Sequence, residues 1–221
     1  MLNFSISEEN YIKAVFHLQR DEEIVTTNEL ARELKTKPAS VTDMMKKLKA
    51  KKLLHYQPYR GFRLNPEGNK VALGIIRRHR LWEYFLAEKL KFSWDEVHVV
   101  AEELEHVRSK KLIEKLDEFL GYPKVDPHGD PIPDIHGKME SAHQVCLIDL
   151  PPNKSATVSK VSDQSSELLE LLKHKHISIG TRLEVKRKFE FDQSLELKIR
   201  QQPAITISEQ LAKTIFVKYG S

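Results

Sequence analysis

The sequence predicts a mainly α chain with a C-terminal β part: a winged helix-turn-helix, a helical domain and a small barrel. Two observations predict it. Residues 5–120 carry apolar residues at helical spacing, interrupted by one hairpin-like stretch, LLHYQPYRGFRL. From about Val145 the pattern becomes alternating or β-branched, in VCLID, ATVSKV, RLEVKRKFEF, LELKIR and AITI. The boundaries drawn are 1–72, 73–140 and 141–221.

Each element has a local cause. Ser5 and Ser7 can cap a first helix with Tyr11, Ala14, Val15 and Leu18 on one face. Thr26-Thr27-Asn28-Glu29 has the Ser/Thr-x-x-Glu form of a capping box and opens a second helix. Pro38 suits the first turn of a third, because the N–H it lacks would have no partner there. That helix runs to about Lys52 with Val41, Met44, Met45 and Leu48 inward, and the hairpin follows as a wing. Asn65-Pro66 starts a long helix reaching Lys91. Ser93-Trp94-Asp95-Glu96 caps another, expected to reach Val107, and LIEKLDEFL is a further one ending at Gly121. YPKVDPHGDPIPD is too rich in Pro, Gly and Asp to continue a helix and is expected to end the second part. One helix, SSELLELLK, interrupts the β region.

Composition excludes several classes. The 221 residues are 40% hydrophobic and 31% charged, which argues against disorder. Cys146 is the only cysteine, so an intrachain disulfide and a Cys-rich zinc site are both excluded. The N-terminus has no basic stretch ahead of an apolar run, and nothing approaches a membrane span, so a cytoplasmic location without membrane partners is expected.

The net charge of +4 hides an asymmetry. Residues 1–80 hold 16 Lys+Arg against 9 Asp+Glu, and residues 81–140 hold 8 against 14. The basic third points to double-stranded DNA. In a winged helix-turn-helix the helix after the turn enters the major groove. Its outward residues are Ala39, Ser40, Thr42, Asp43, Lys46 and Lys47, with Lys37 just before it. The small ones can approach base edges, while the lysines, with Arg60 and Arg63 of the wing, suit phosphates. The alternative is a structural three-helix unit with a solvated lysine face.

The acidic third points to a divalent ion. At about 100° per residue, His98, Glu102, Glu105 and His106 share one arc, apart from the apolar Val97, Val100, Ala101, Leu104 and Val107. His79 and Glu83 stand four apart on the preceding helix. So many like charges on one face repel unless a cation neutralises them. The alternative is ordinary surface decoration. A di-iron enzyme is a further alternative, because Glu103-Leu-Glu-His106 and Glu140-Ser-Ala-His143 have the Glu-x-x-His form. Against it, the second follows a Pro/Gly-rich loop and Glu103 lies off the arc.

The stretches SEENYIKAVFHL, ELARELKTKPASVTDMMKKLKAKKLL, YRGFRLNPEG, RRHRLWEYFLAEKL, VHVVAEELEHV and YPKVDPHGDPIP cover most of residues 5–134. Together they resemble the diphtheria toxin repressor (DtxR/MntR) family of metal-dependent transcriptional regulators. RHRLxE followed by HxxxExxEH is the specific part. Residues 141–221 are similar in layout to the SH3-like (FeoA-like) third domain of longer members. The resemblance implies one metal site from His79, Glu83 and His98, completed in some members by the third domain, where Asp163, Gln164 and Glu167 are the local candidates. It implies a second from Glu102, Glu105 and His106 with a ligand from the first helix. Position 102 is cysteine in iron-type members and glutamate in manganese-type ones, so Glu102 tilts the reading to Mn²⁺. A set of oxygen and nitrogen donors suits harder ions, though Fe²⁺ and Zn²⁺ can bind. The first-helix position holds Asn10, a neutral carbonyl donor, with Glu9 beside it as a substitute. Lys13 stands where manganese types can have a second carboxylate, which argues against a two-ion cluster built their way.

The expectation is therefore a homodimeric, metal-dependent repressor, not an enzyme, with no small-molecule substrate. It takes one to two divalent ions per chain, Mn²⁺ ahead of Fe²⁺. It binds a palindromic operator and controls metal-uptake genes. A metal-independent winged-helix regulator is the alternative.

Overall fold

The computed structural model describes residues 3–19, 24–57, 60–94, 96–139, 144–162, 165–200 and 202–219. The chain packs into two compact units. One comprises Met1–His79, Glu103–Ile113 and Pro133–Met139, and the other Arg80–Glu102, Glu114–Ile132 and Glu140–Ser221. The predicted middle segment, 73–140, is thus divided between them.

In the first unit, α1 (Ile6–Leu18), α2 (Thr27–Glu33) and α3 (Pro38–Ala50) are followed by β1 (Leu54–Gln57) and β2 (Gly61–Leu64). Full capping boxes start α1 at Ser5 and Glu8 and α2 at Thr26 and Glu29. Pro38 occupies the first turn of α3. The antiparallel β1–β2 wing pairs Leu54 with Leu64 and Gln57 with Gly61, and Val25 adds one bridge to Phe62. Ile12, Val15, Leu30, Val41, Leu48 and Phe62 form the centre of a dry core. These residues recur at the spacings that put them on one face of each helix, so burial follows directly from pattern.

α4 (Pro66–Glu88) begins in this unit and continues into the other. Asn65 caps it by accepting from Gly68 N–H at 2.9 Å. α5 (Val97–Leu104) and α6 (Lys110–Phe119) follow. Only half of the expected Ser93–Glu96 box forms: Glu96 Oε2 accepts from Ser93 N–H at 3.1 Å and from the Ser93 hydroxyl, while the Glu96 N–H donates to the Ser93 carbonyl, and α5 starts at Val97. However, α5 ends at Leu104, and Glu105 and His106 lie in the next turn. The predicted single helical arc of four metal-type side chains is therefore broken after Glu102.

The second unit is dominated by a six-stranded antiparallel sheet of order β3-β8-β4-β5-β6-β7. Its elements are β3 (Val145–Cys146), a 3₁₀ turn at Leu147–Asp149, β4 (Ser155–Val161), α7 (Ser166–His174), β5 (Arg182–Lys188), β6 (Leu195–Ile199), β7 (Ile205–Ile207), α8 (Glu209–Thr214) and β8 (Ile215–Lys218). Register shifts at Val158/Lys160 and Val185/Arg187 interrupt the ladders and bend the strands. Val158, Val185, Leu197 and Val217 point inward with Leu169 and Leu172 of α7. Among the described residues, no helix is long and apolar enough to cross a membrane.

Candidate metal centre and nucleic-acid interface

In the first unit the third helix presents the face the sequence assigns to DNA. Val41, Met45 and Leu48 are buried and Met44 is half-buried. Ala39, Ser40, Thr42, Asp43, Lys46 and Lys47 are exposed, as are Lys37 and Arg60, and Arg63 is half-buried on β2. Lys46 pairs with Asp43 at 3.2 Å, both side chains being 72% exposed. Such an exposed pair contributes little to stability.

The second unit holds a buried charged cluster. Glu83 is fully buried on α4. Its Oε1 lies 3.2 Å from His98 Nδ1 on α5, and its Oε2 lies 3.7 Å from His128 Nδ1. Ligand atoms of Glu83, Asp126 and His128 all lie within 4.8 Å of one another, and all three residues are buried. The loop that carries the last two is built from local hydrogen bonds. Asp126 Oδ1 accepts from the N–H groups of His128, at 2.8 Å, and Asp130, at 2.9 Å. Val161 N–H donates to the His128 carbonyl at 3.1 Å, fastening the loop to β4. Asp130 meets Lys160 of the same strand at 2.8 Å.

This packing orients His128. Its Nε2 meets the Trp94 carbonyl at 2.8 Å, and its ring stacks on the indole at a centroid distance of 6.0 Å. Nε2 is therefore the donor, and Nδ1 is turned toward the carboxylates as a potential ligand atom. His128 Nδ1 and Asp126 Oδ2 are buried and make no hydrogen bond. Burial, followed by the negative charges of Glu83 and Asp130, pushes the Asp126 carboxyl up to about 7, against the opposing charge of Arg80. Burial opposes charge on His128, yet Glu83 and Asp126 outweigh it and raise its pKa. Arg80 stands 3.5 Å from Asp126 Oδ2 and 3.5 Å from Asp130 on one side of this cluster, while Nδ1 of His128 faces the Glu83 and Asp126 carboxylates. The residues fit a divalent ion bound through oxygen and nitrogen.

Asp126 and His128 escaped the sequence reading, which treated their loop only as the end of the second part. The available signal was the Asp-x-His spacing inside YPKVDPHGDPIP. Of the other candidates, Glu102 is 53% exposed and lies 3.6 Å from His98. Glu167 is exposed in the first turn of α7. Asp163, Gln164, Glu140 and His143 lie outside the described residues. Glu103 is exposed.

The remaining candidates meet in the first unit. Glu105 is fully buried, and its Oε2 is 2.7 Å from His79 Nδ1. Lys13 Nζ donates to both Glu105 oxygens, at 2.7 and 2.9 Å. Burial alone would raise the Glu105 pKa, but the His79 hydrogen bond and the Lys13 charge outweigh it and hold it below the usual value. His106 Nδ1 meets Glu9 Oε2 at 2.6 Å, and Arg78 lies 3.1 Å from the other Glu9 oxygen. It is thus Glu9 that reaches His106, whereas Asn10 lines an open groove with Ser40, Asp43 and Lys47 of α3.

Comparison with known proteins agrees in all three regions. Residues 3–62 match the family model for the iron dependent repressor N-terminal DNA binding domain, and 65–134 that for its metal binding and dimerisation domain. Residues 145–219 match the FeoA domain. The diphtheria toxin repressor of Corynebacterium efficiens is 26% identical over 187 residues, covering 80% of this chain and 81% of that protein. The HTH-type transcriptional regulator MntR of Geobacillus kaustophilus is 31% identical over 120 residues, 54% of this chain and 84% of that protein. Among solved structures, a manganese-dependent transcriptional repressor in complex with manganese superposes with a TM-score of 0.85 at 30% identity, covering 96% of this chain and 99% of that one. ScaR with bound Cd²⁺ gives 0.81 at 30% identity, with the same coverage.

Proposed function

Given that the chain belongs to the diphtheria toxin repressor family, and is a metal-dependent transcriptional repressor rather than an enzyme, we propose that it answers to Mn²⁺ ahead of Fe²⁺. In this reading it grips a palindromic operator in the cytoplasm as a homodimer and controls metal-uptake genes. The observation that carries the metal reading is the buried cluster of Glu83, Asp126 and His128, whose Asp126 Oδ2 and His128 Nδ1 make no hydrogen bond. His98 at 3.2 Å completes the donors on one side, and His79 stands one turn before Glu83 on the same helix. No thiol is among them: Cys146 lies on β3, its Sγ against the carbonyls of Ala212 and Lys213. Oxygen and nitrogen donors favour Mn²⁺ over softer ions.

A bound ion would supply positive charge beside these carboxylates, on the side away from Arg80, which lies 3.5 Å from Asp126 Oδ2. Glu83 is the charged anchor, Asp126 and His128 are held in place by their loop, and His98 joins them from α5. On DNA, Ala39, Ser40, Thr42 and Asp43 address base edges. Lys37, Lys46, Lys47, Arg60 and Arg63 address phosphates. Exposed Phe119, packed edge-on to Phe85, and exposed Tyr122 supply apolar surface for the second protomer.

A DNA mobility shift with chelator, Mn²⁺, Fe²⁺ and Zn²⁺ in parallel tests this. A gain of about 100-fold in operator affinity with Mn²⁺ is expected, requiring about 2.7 kcal/mol of differential metal binding. Equal affinity with and without chelator would end the metal reading. Replacing Lys46 and Lys47 by alanine removes four phosphate contacts from the dimer and should lower the slope of log affinity against log salt by about 4. Phe119→Asp should shift the sedimenting species from dimer to monomer at micromolar protein.

A further inference from the structure

We infer that Lys13 is a built-in cation standing where the resemblance places a second metal ion, so that the chain takes one divalent ion, and α1 is tied to the Glu105–His106 turn without metal. The counting of ions rests on the metalloregulator reading above; the tie does not.

The argument is geometric. The second site implied by the family draws on Glu105, His106, Glu102 and a first-helix donor, and the residues present do not fit it. A divalent ion needs open carboxylate lone pairs and neutral imidazole nitrogens. Lys13 Nζ sits between the two oxygens of Glu105, 2.7 Å from one and 2.9 Å from the other. His79 closes on Oε2 from another side at 2.7 Å. An ion would have to displace the ammonium to reach Glu105. His106 Nδ1 is engaged by Glu9, whose other oxygen faces Arg78, and its Nε2 lies 3.8 Å from Glu105 Oε1, the oxygen that the Lys13 ammonium already occupies at 2.7 Å. Asn10 lines the groove with α3 and offers no charge.

The cluster is also internally matched. Glu105 is fully buried, so its charge demands a cation close by. Lys13 is mostly buried over it, with 15% of its side chain exposed. Glu9 is 5% exposed and meets both His106 and Arg78. Two carboxylates are thus met by two permanently charged side chains and two imidazoles. Both contacts join α1 to a turn more than ninety residues later, with sequence separations of 92 and 97. The tie that holds α1 is made of groups that chelation cannot remove.

Two measurements on the full chain test this. In the first, hydrogen exchange of α1 is followed in chelator for the wild type, Lys13→Met, Glu105→Gln and the double variant. Each single variant should speed α1 exchange about tenfold, and the double should be no faster than either single. Unchanged exchange in Lys13→Met, or additive effects, would overturn the tie. In the second, Mn²⁺ stoichiometry is measured by equilibrium dialysis. The wild type and Glu105→Gln should each hold one ion per chain, and Lys13→Ala should admit a second at high Mn²⁺. A second ion in the wild type that Glu105→Gln removes would overturn the inference, as would a Lys13→Ala protein still limited to one. A wild type that binds no ion at all would instead sink the metalloregulator reading, leaving the exchange experiment to judge Lys13.

Discussion

Glu83→Gln abolishes the metal response of operator binding while leaving the metal-free fold standing: that is the expected result with the largest effect. The substitution keeps the shape of the side chain and removes its charge. Glu83 is fully buried, and its oxygens lie 3.2 Å from His98 and 3.7 Å from His128, so the loss falls at the centre of the donor set. An amide is a far weaker partner for a divalent ion than a carboxylate, and even residues that only orient ligands cost 10- to 100-fold when removed. A loss of metal affinity on the order of 100-fold or more is expected, read by Mn²⁺ titration, with operator affinity in Mn²⁺ falling to the chelator value. Metal-free stability should hardly change, because removing one of two neighbouring buried acids relieves repulsion with Asp126 while costing attraction to the imidazoles. A melting midpoint within a few degrees of the parent separates this result from unfolding. His98→Ala is the companion. Its side chain is 35% exposed, so little packing is lost and the weakening of metal binding is read on an intact protein.

How much of this the sequence declared depends on whether a residue sits in a periodic element. The helices through α4 were legible because apolar spacing and capping residues agree, as in Ser5 with Glu8 and Thr26 with Glu29, although α4 stops at Glu88 rather than at the expected Lys91. α5 was drawn three residues too long at each end: read from a Ser93 cap, it starts only at Val97, and it stops at Leu104 although Val107 continues the apolar spacing. α8 and β8 went unread, because α8 ends at Thr214 and β8 starts at Ile215 with no turn residue between them to separate a helical from a strand pattern. The same rule governs the site. His79, Glu83, His98 and Glu102 stand at four-residue spacings on helices and announce themselves. Asp126 and His128 lie in a loop whose shape comes from an Asp side chain turned onto its own backbone and from a bond to β4. Neither feature has a periodic signature. Pairings such as Lys13 with Glu105 depend on tertiary folding alone. The sequence could say that a lysine stands in that position, but not that its ammonium lies between two carboxylate oxygens.

Gly129→Ala should unfold the second unit's loop and take the metal response with it. Gly129 has φ +86°, where any side chain strains the backbone. That alone costs about 1–2 kcal/mol. Here a Cβ would also stand 1.9 Å from the Ser159 carbonyl oxygen and 2.8 Å from Lys160 Cα. Both are backbone atoms of β4, so neither can swing aside as a side chain would. Either the loop lifts from the strand or the strand shifts within its ladder. Lifting the loop breaks the bond from Val161 N–H to the His128 carbonyl and the Asp130–Lys160 pair. It also moves His128 and Asp126 relative to Glu83. Strain and overlap together are expected to cost roughly 2–5 kcal/mol, a fall on the order of 10 °C in the midpoint. Mn²⁺ affinity should fall in the same protein below that midpoint, because two donors ride on the displaced loop. Gly121→Ala supplies the control. Its φ is +74°, but nothing lies within 4 Å of its Cβ position. It carries the conformational strain without the collision, so it should lower the midpoint slightly and leave Mn²⁺ affinity unchanged. Equal effects from the two substitutions would mean that the close approach of the loop to β4 does not hold the donors in place.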